Sequence, residues 1–285
     1  MAARASVSQP GLSRFWFDPA LPVVESRRAC DSQAAYLPHT HPTLSVGAVD
    51  GGASVFGHDQ RNVRRDTRLA PGAVVWVPAG CVHACNPVPD GRWSYQMIHI
   101  DAAWADAVLD EAGRARVRRV HVTDDAAPYA LVCALNAMLF SDAEVVEKEA
   151  ALVAFVGDMQ AWLAKDGPNG RGQGMPADRL PADGPLDRVT ALLHDRHGDA
   201  LPLAQLAEVA GMSRYQLIRH FRARIGMTPH AFQIDIRIQH ARRLLRRGHA
   251  PADVAQQLGF ADQSHFHRAF RQRVALTPRA YQRLG

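Results

Sequence analysis

The last third of the chain is written twice. Residues 203 to 232 (LAQLAEVAGMSRYQLIRHFRARIGMTPHAF) and 251 to 281 (PADVAQQLGFADQSHFHRAFRQRVALTPRAY) are two copies of one unit. Ala207 pairs with Ala255 and Gly211 with Gly259 at an offset of 48; Phe221 then pairs with Phe270, Thr228 with Thr277, Pro229 with Pro278 and Phe232 with Tyr281 at 49. The second turn therefore holds one extra residue. Self-similarity of this kind marks a duplicated supersecondary unit. In each copy a short helix with a small Ala facing inward ends at a Gly free to adopt positive φ. A second helix then starts at a side-chain cap, Ser213 or Asp262. That second helix buries Leu217 and Phe221 in one copy and Phe266 and Phe270 in the other, leaving its opposite face free.

A helix with one free polar face has the dimensions to enter a major groove of double-stranded DNA. The free face offers Arg214, Tyr215, Ile218 and Arg219 in the first copy, and Gln263, Ser264, His265, His267 and Arg268 in the second. Arg suits bidentate contact to guanine and Gln to adenine, while Ser and His bond bases or phosphates. Between the copies, Pro229 fits the first turn of a helix running to about Arg247, with Ile234, Ile238, Ala241 and Leu245 on one face. At about 1.5 Å per residue such a rod spans roughly 28 Å, near the ~34 Å between successive major-groove faces. Ile234, Ile236 and Ile238 alternate as a strand would, but the flanking Pro229 and the Arg-rich end favour helix. Charge agrees: residues 176 to 285 carry 17 Arg against 9 acids, and the remainder 16 bases against 19 acids. A basic module joined to a mildly acidic one suits a grip on phosphate plus a part that avoids it.

At 285 residues the chain is long enough for two domains. Residues 166 to 184, dense in Gly, Pro and Asp without apolar periodicity, read as a linker. The expected plan is a domain over 1 to 165, the linker, and a domain over 185 to 285 with helix-turn-helix units at 203 to 225 and 251 to 273. No run approaches the roughly 18 apolar residues a membrane helix needs, so no membrane role is expected. The N-terminus lacks the apolar core of a secretory signal, which leaves the cytoplasm as the expected location. Four cysteines without a CxxC pair read as reduced thiols.

The repeat closely resembles the AraC/XylS family of transcription regulators. The resemblance covers residues 185 to 283 and is carried above all by Ala255, Leu258, Gly259, Phe260, Ser264, Phe266, Arg268, Phe270, Thr277 and Pro278. It implies two recognition helices in adjacent major grooves, activation by recruitment of RNA polymerase, and a homodimer joined through the N-terminal domain. Ala275 stands where the family usually has Gly before the second Thr-Pro, so the backbone there either avoids positive φ or takes strain.

Residues 36 to 100 carry short strand-like runs, LSVGAV and AVVWVPA among them, separated by DGG, APG and PDG turns. From Ala102 the pattern turns helical. Leu131, Leu135 and Met138 share one face, and Val145, Leu152, Val156, Met159 and Leu163 another, which is either core or a subunit interface. A helical pair beside the sheet is expected. His39 and His41 point to one side if extended, and His83 lies in GAVVWVPAGCVHACN. Gly72, Pro78, Gly80 and His83 have the spacing of the second cupin motif, and His39-x-His41 looks like the opening of the first, so the domain resembles a cupin barrel. The overall class is then α+β multidomain: a cupin-like barrel with its helices, followed by an all-α domain. The resemblance implies a small-molecule effector in the barrel mouth, with His39, His41, Trp76, His83, Tyr95 and His99 as candidate lining.

The glutamate of the first cupin motif is missing; the stretch reads Pro42, Thr43, Leu44, Ser45, Val46. Catalysis is therefore not expected, and a cupin metalloenzyme with a DNA-binding appendage is the weakest alternative. His39, His41 and His83 remain candidate ligands for a divalent metal, the one cofactor considered. Cys81 and Cys85 flank His83 at two-residue intervals, which keeps open a regulator switched by metal or thiol oxidation.

Overall fold

The computed structural model describes residues 13–60, 63–113, 119–165 and 184–283. The expected linker lies outside them except for Gly184, the residue that precedes the first helix of the C-terminal domain. Nine strands and three helices form the N-terminal domain among these residues: β1 (Ser13–Phe17), β2 (Val24–Ser32), β3 (Thr43–Gly52), β4 (Ser54–Gln60), β5 (Val63–Leu69), β6 (Val74–Val77), β7 (His83–Pro87), β8 (Trp93–Asp101), α1 (Ala102–Glu111), β9 (His121–Thr123), α2 (Ala126–Leu139) and α3 (Val145–Lys165). The C-terminal domain is helical: α4 (Pro185–Asp195), α5 (Leu203–Ala210), α6 (Arg214–Ile225), α7 (Pro229–Arg246), α8 (Pro251–Gln257), α9 (Gln263–Val274) and α10 (Pro278–Gln282).

Two antiparallel sheets face each other, one of six strands in the order β1-β2-β8-β3-β6-β9 and one of three in the order β5-β4-β7. Side-chain alternation divides the large sheet between two cores. Val49, Val75, Val77, Trp93 and Tyr95 turn into the space between the sheets with Phe56 and Leu69. Val46, Val74, Trp76, Ile98 and Ile100 turn outward against the helices. Three helices rather than a pair cover that side. On α2 the buried residues include Val132, Leu135 and Leu139, so the inward face lies about one residue round from the expected Leu131, Leu135 and Met138. The stripe on α3 is core: Leu152, Val156, Met159 and Leu163 are fully buried with Phe155.

The duplicated units form as their local signals require. Gly211 and Gly259 adopt φ of 63° and 67°, and the Ser213 and Asp262 side chains accept from the amides of Gln216 and His265. Ser213 and Gln216 bond reciprocally as a capping box. At Gly259 a Cβ would also collide with the Gly198 carbonyl at 1.9 Å, so this turn needs glycine for space as well as for φ. Ala275 takes the strained option, with φ 59° where its counterpart Gly226 has 84°.

Helix α7 explains the alternating isoleucines. Ile234, Ile238, Ala241 and Leu245 pack on the second unit with Phe266 and Phe270, whereas Ile236 packs on the first with Leu217 and Phe221. The rod is buried on two sides, so apolar residues occur off a single stripe. Arg237 of α7 also clamps the two units together. It donates to the carbonyls of His197 (2.6 Å), Asp199 (2.9 Å) and Gly259 (2.5 Å).

Two stability changes follow, both read by chemical denaturation. Ala275→Gly removes a left-handed residue bearing a Cβ, a cost of about 1–2 kcal/mol, at an entropic loss of about 0.4–1 kcal/mol, and should raise stability by roughly 0.5–1 kcal/mol. Arg237→Met strands the Gly259 carbonyl and leaves those of His197 and Asp199 to Gln233 alone, and should cost about 1–3 kcal/mol.

Candidate functional site

The free faces of α6 and α9 are the first candidate. Arg214, Tyr215, Ile218 and Arg219 are all exposed, Tyr215 to 73% and Ile218 to 37%, although both are large hydrophobic residues. On α9, Gln263, Ser264, His267 and Arg268 are exposed; His265 is half-buried, its ring packed edge-on against Phe260 at 5.4 Å. These faces exist because Leu217, Phe221, Phe266 and Phe270, each fully buried, fix the rotation of their helices. The surroundings of the two faces differ. His267 and Arg268 line a crevice whose other wall is Asp31 to Ala35 and Arg92 of the N-terminal domain.

The second candidate lies where the barrel mouth meets the C-terminal domain. His39, His41 and His83 converge, with ligand atoms all within 4.8 Å of one another. An antiparallel bridge sets this up: His39 and His83 exchange backbone hydrogen bonds of 3.0 Å. The Nδ1 of His39 meets the Leu37 carbonyl at 2.7 Å and that of His83 the Cys81 carbonyl at 2.9 Å. His99, from β8, stands 4.5 Å from His41 between ring centroids, its Nδ1 bonded to Ser45 Oγ at 2.7 Å. Burial holds all four imidazoles neutral. It lowers His39 to about 4 and His83 to about 3, against the opposing carbonyl contacts, and His41 and His99 well below the ordinary value.

These rings border a cavity of about 80 Å³ that both domains line. Phe56, Val75, Val77, Trp93 and Met97 form its apolar walls, and Arg242, Arg273, Val274 and Tyr281 close it from the C-terminal side. His39, His41, His83, Tyr95 and His99 all border it. Trp76 does not: on β6 it alternates with Val75 and Val77, so it faces the helical core while they face the cavity. The cysteines are not part of the histidine cluster. Cys85 contacts Ser54 Oγ at 3.4 Å, and burial pushes both thiols up to about 11, which disfavours the thiolate that metal or redox chemistry requires.

Sequence reasoning missed the contacts that join the cavity to the helices. Thr40, between the two histidines, points the other way and places its amide (3.1 Å) and hydroxyl (2.7 Å) on Asp235 of α7. Gln239 donates to the same carboxylate at 3.0 Å and to Thr40 Oγ1 at 2.6 Å, and Arg273 of α9 lies 3.6 Å away. Glu25 of β2 is ion-paired with Arg242 and Arg246. Two backbone carbonyls near the end of α9 accept from the N-terminal domain: Gln272 from the Leu37 amide at 3.1 Å and Val274 from Arg27 at 3.5 Å. An Asp between two core isoleucines was the one legible signal of this seam.

Two family models match the chain, an AraC-like ligand binding domain over residues 21–152 and a helix-turn-helix domain over 206–284. The HTH-type transcriptional regulator YbfI of Bacillus subtilis is 40% identical over 77 residues, 27% of this chain and 28% of that protein. MtrA of Neisseria gonorrhoeae, also an HTH-type transcriptional regulator, is 34% identical over 92 residues, 32% and 31%. The activator RhaS of Escherichia coli is 33% identical over 95, 33% and 34%. The chain thus matches about a third or less of the length of these relatives. Among solved structures, apo ToxT K231A of Vibrio cholerae shares the two-domain fold, with a TM-score of 0.60 at 13% identity, over 92% of this chain and 97% of that one. No helix among the described residues is long and apolar enough to cross a membrane.

The neutral histidines make stability pH-dependent. Their folded values lie below the ~6.5 of an unfolded histidine, so the unfolded chain binds more protons between about 6.5 and 4, and stability falls as pH drops through that window. Going from pH 7.5 to 5 should cost about 2 kcal/mol for each imidazole kept neutral. Thermal melts should show a shallower pH slope in a His39→Gln, His83→Gln double variant.

Proposed function

Because the chain belongs to the AraC family of DNA-binding transcription regulators, with an AraC-like ligand binding domain ahead of a helix-turn-helix domain, we propose that it reads an operator with α6 and α9 together. In this reading Arg214, Tyr215, Ile218 and Arg219 contact one major groove, and Gln263, Ser264, His265, His267 and Arg268 the next. The observation that carries it is the pair of capped helices whose aromatic anchors are buried and whose polar faces remain exposed. His265 is half-buried against Phe260, which suits a backbone-positioning contact better than a base contact. Sequence-specific binding leads to activation through RNA polymerase, and the active form is a homodimer joined through the domain at residues 1 to 165, with 185 to 285 as the DNA grip.

A small-molecule effector held in the cavity controls the grip. The walls are mostly apolar side chains and the closing residues belong to α7, α9 and α10, so an occupant touches both domains at once. A ToxT structure with this fold, TM-score 0.56 at 14% identity, is described as bound to an unsaturated fatty acid; an effector with an apolar body is the class these walls suit. An effector shifts the equilibrium between domain arrangements only by its differential affinity for them, and a site shared by both domains provides that difference.

Selection of bound DNA from a random pool should yield one extended site with two half-sites. On that site Arg219→Ala and Arg268→Ala should each weaken binding by about 1–3 kcal/mol, and relax preference at separate positions. Wild-type affinity in both variants would show that α6 and α9 do not read the site.

A further inference from the structure

We propose that His39, His41 and His83 form a binding site for a divalent transition-metal ion of zinc-like chemistry, and that filling it breaks a contact with the DNA-binding domain. The ion site rests on the histidine geometry alone; its effect on DNA rests also on the regulator reading above.

Three imidazoles and an open fourth position make a recurrent set for zinc, with nitrogens about 2.0–2.1 Å from the metal. Nitrogens at that radius stand about 3.4 Å apart around a tetrahedron. The three rings here already hold their ligand atoms within 4.8 Å, so small side-chain rotations close the set. Two of the three are also prepared as ligands. Since a carbonyl only accepts, the Nδ1 atoms of His39 and His83 must carry the protons they give to Leu37 and Cys81. Their lone pairs are therefore on Nε2. A ring N–H held by a backbone carbonyl is the outer contact that metal-binding histidines typically make. No carboxylate or thiolate joins the set among the described residues, and nitrogen ligands alone favour a borderline transition metal over calcium or magnesium. The positive charge of Arg242 and Arg273 opposes a cation, but Glu25 and Asp235 pair with those arginines.

His41 connects the ion to the second domain. Its Nδ1 faces Nη1 of Arg242 on α7 at 3.5 Å, and a guanidinium can only donate. The present contact needs a lone pair on Nδ1. A neutral imidazole bound to a metal has one nitrogen on the ion and a proton on the other. If Nδ1 ligates, its lone pair is spent; if Nε2 ligates, Nδ1 carries the proton. In both cases Arg242 loses its acceptor. Ion binding and the Arg242–His41 hydrogen bond exclude each other, so the ion weakens a contact between β-domain and spacer helix beside the Glu25 pairs.

The test uses the full chain freed of metal with a chelator. Calorimetric titration with zinc chloride should show one ion per chain. Cobalt(II) should give the intense visible absorption of a four-coordinate site, read on wild-type protein without any substitution. His39→Gln and His83→Gln should each weaken the ion by about tenfold or more, whereas the exposed His220→Gln should not. Absence of a stoichiometric ion, a six-coordinate cobalt spectrum, or wild-type affinity in both His39→Gln and His83→Gln would overturn the site. In parallel, anisotropy with the selected operator should change with zinc in wild type, and the change should be lost in Arg242→Gln. An ion that binds but leaves operator affinity unchanged would overturn the coupling. A chain that takes the ion but binds no operator at all would overturn the regulator reading and leave the site standing.

Discussion

The arrangement of the whole molecule depends on one buried carboxylate. Asp235 is 1% exposed, and a charge so deeply buried is costly unless fully partnered. Burial pushes its pKa up, while hydrogen bonds from Thr40 and the charge of Arg273 act in the opposite direction. The partners come from both domains: the amide and hydroxyl of Thr40 beside the barrel mouth, Gln239 one turn along the rod, and Arg273 near the end of α9. If Thr40 withdraws, Asp235 loses two donors at once. The docked arrangement is therefore held by the cost of leaving a charge unsatisfied as much as by attraction, and that cost appears abruptly when the seam opens.

This geometry places the cavity and the rod in mechanical series. Residues 39 to 41 alternate, so the two histidines face the cavity while the intervening Thr40 faces α7. A small rotation of that short segment alters both sides together. Arg242 and Arg246, one turn apart on α7, pair with Glu25 on the same side of the seam. Whatever occupies the cavity sits against residues whose neighbours set the position of the spacer helix.

What could be read from the sequence was what short-range physics decides. Glycine turns, Ser and Asp caps and buried apolar anchors repeat at an offset of 48 that becomes 49 after the second turn, so each copy corroborates the other. The histidine cluster was legible because His39 and His41 obey a period of two and His83 falls in a spaced motif. Parity failed for Trp76, since the run from Val74 to Val77 is buried on both faces and shows no alternation. The α2 face was misplaced for a similar reason, its apolar residues lying on several sides. Apart from that Asp between isoleucines, the seam was not legible because its pairs are separated by 195 residues for Thr40 and Asp235 and 217 for Glu25 and Arg242. Local signals do not report which surfaces dock at such separations.

The duplication also hides an inequality that the fold exposes. Both units have a side-chain cap and buried anchors at matching positions, yet the N-terminal domain hydrogen-bonds near the end of α9 through Leu37 and Arg27, and His267 and Arg268 line the crevice beside it. The strained left-handed residue, Ala275, directly follows Val274, whose carbonyl accepts from Arg27. The first unit has a Gly in the corresponding position, and the N-terminal domain packs Val82 on its core. A rigid rod buried on both sides transmits the position of one unit to the other. A displacement at the seam thus reaches α9 through direct hydrogen bonds from Leu37 and Arg27, and reaches the first unit through α7 and the packing of Val82, so the two units are not equivalent with respect to the N-terminal domain.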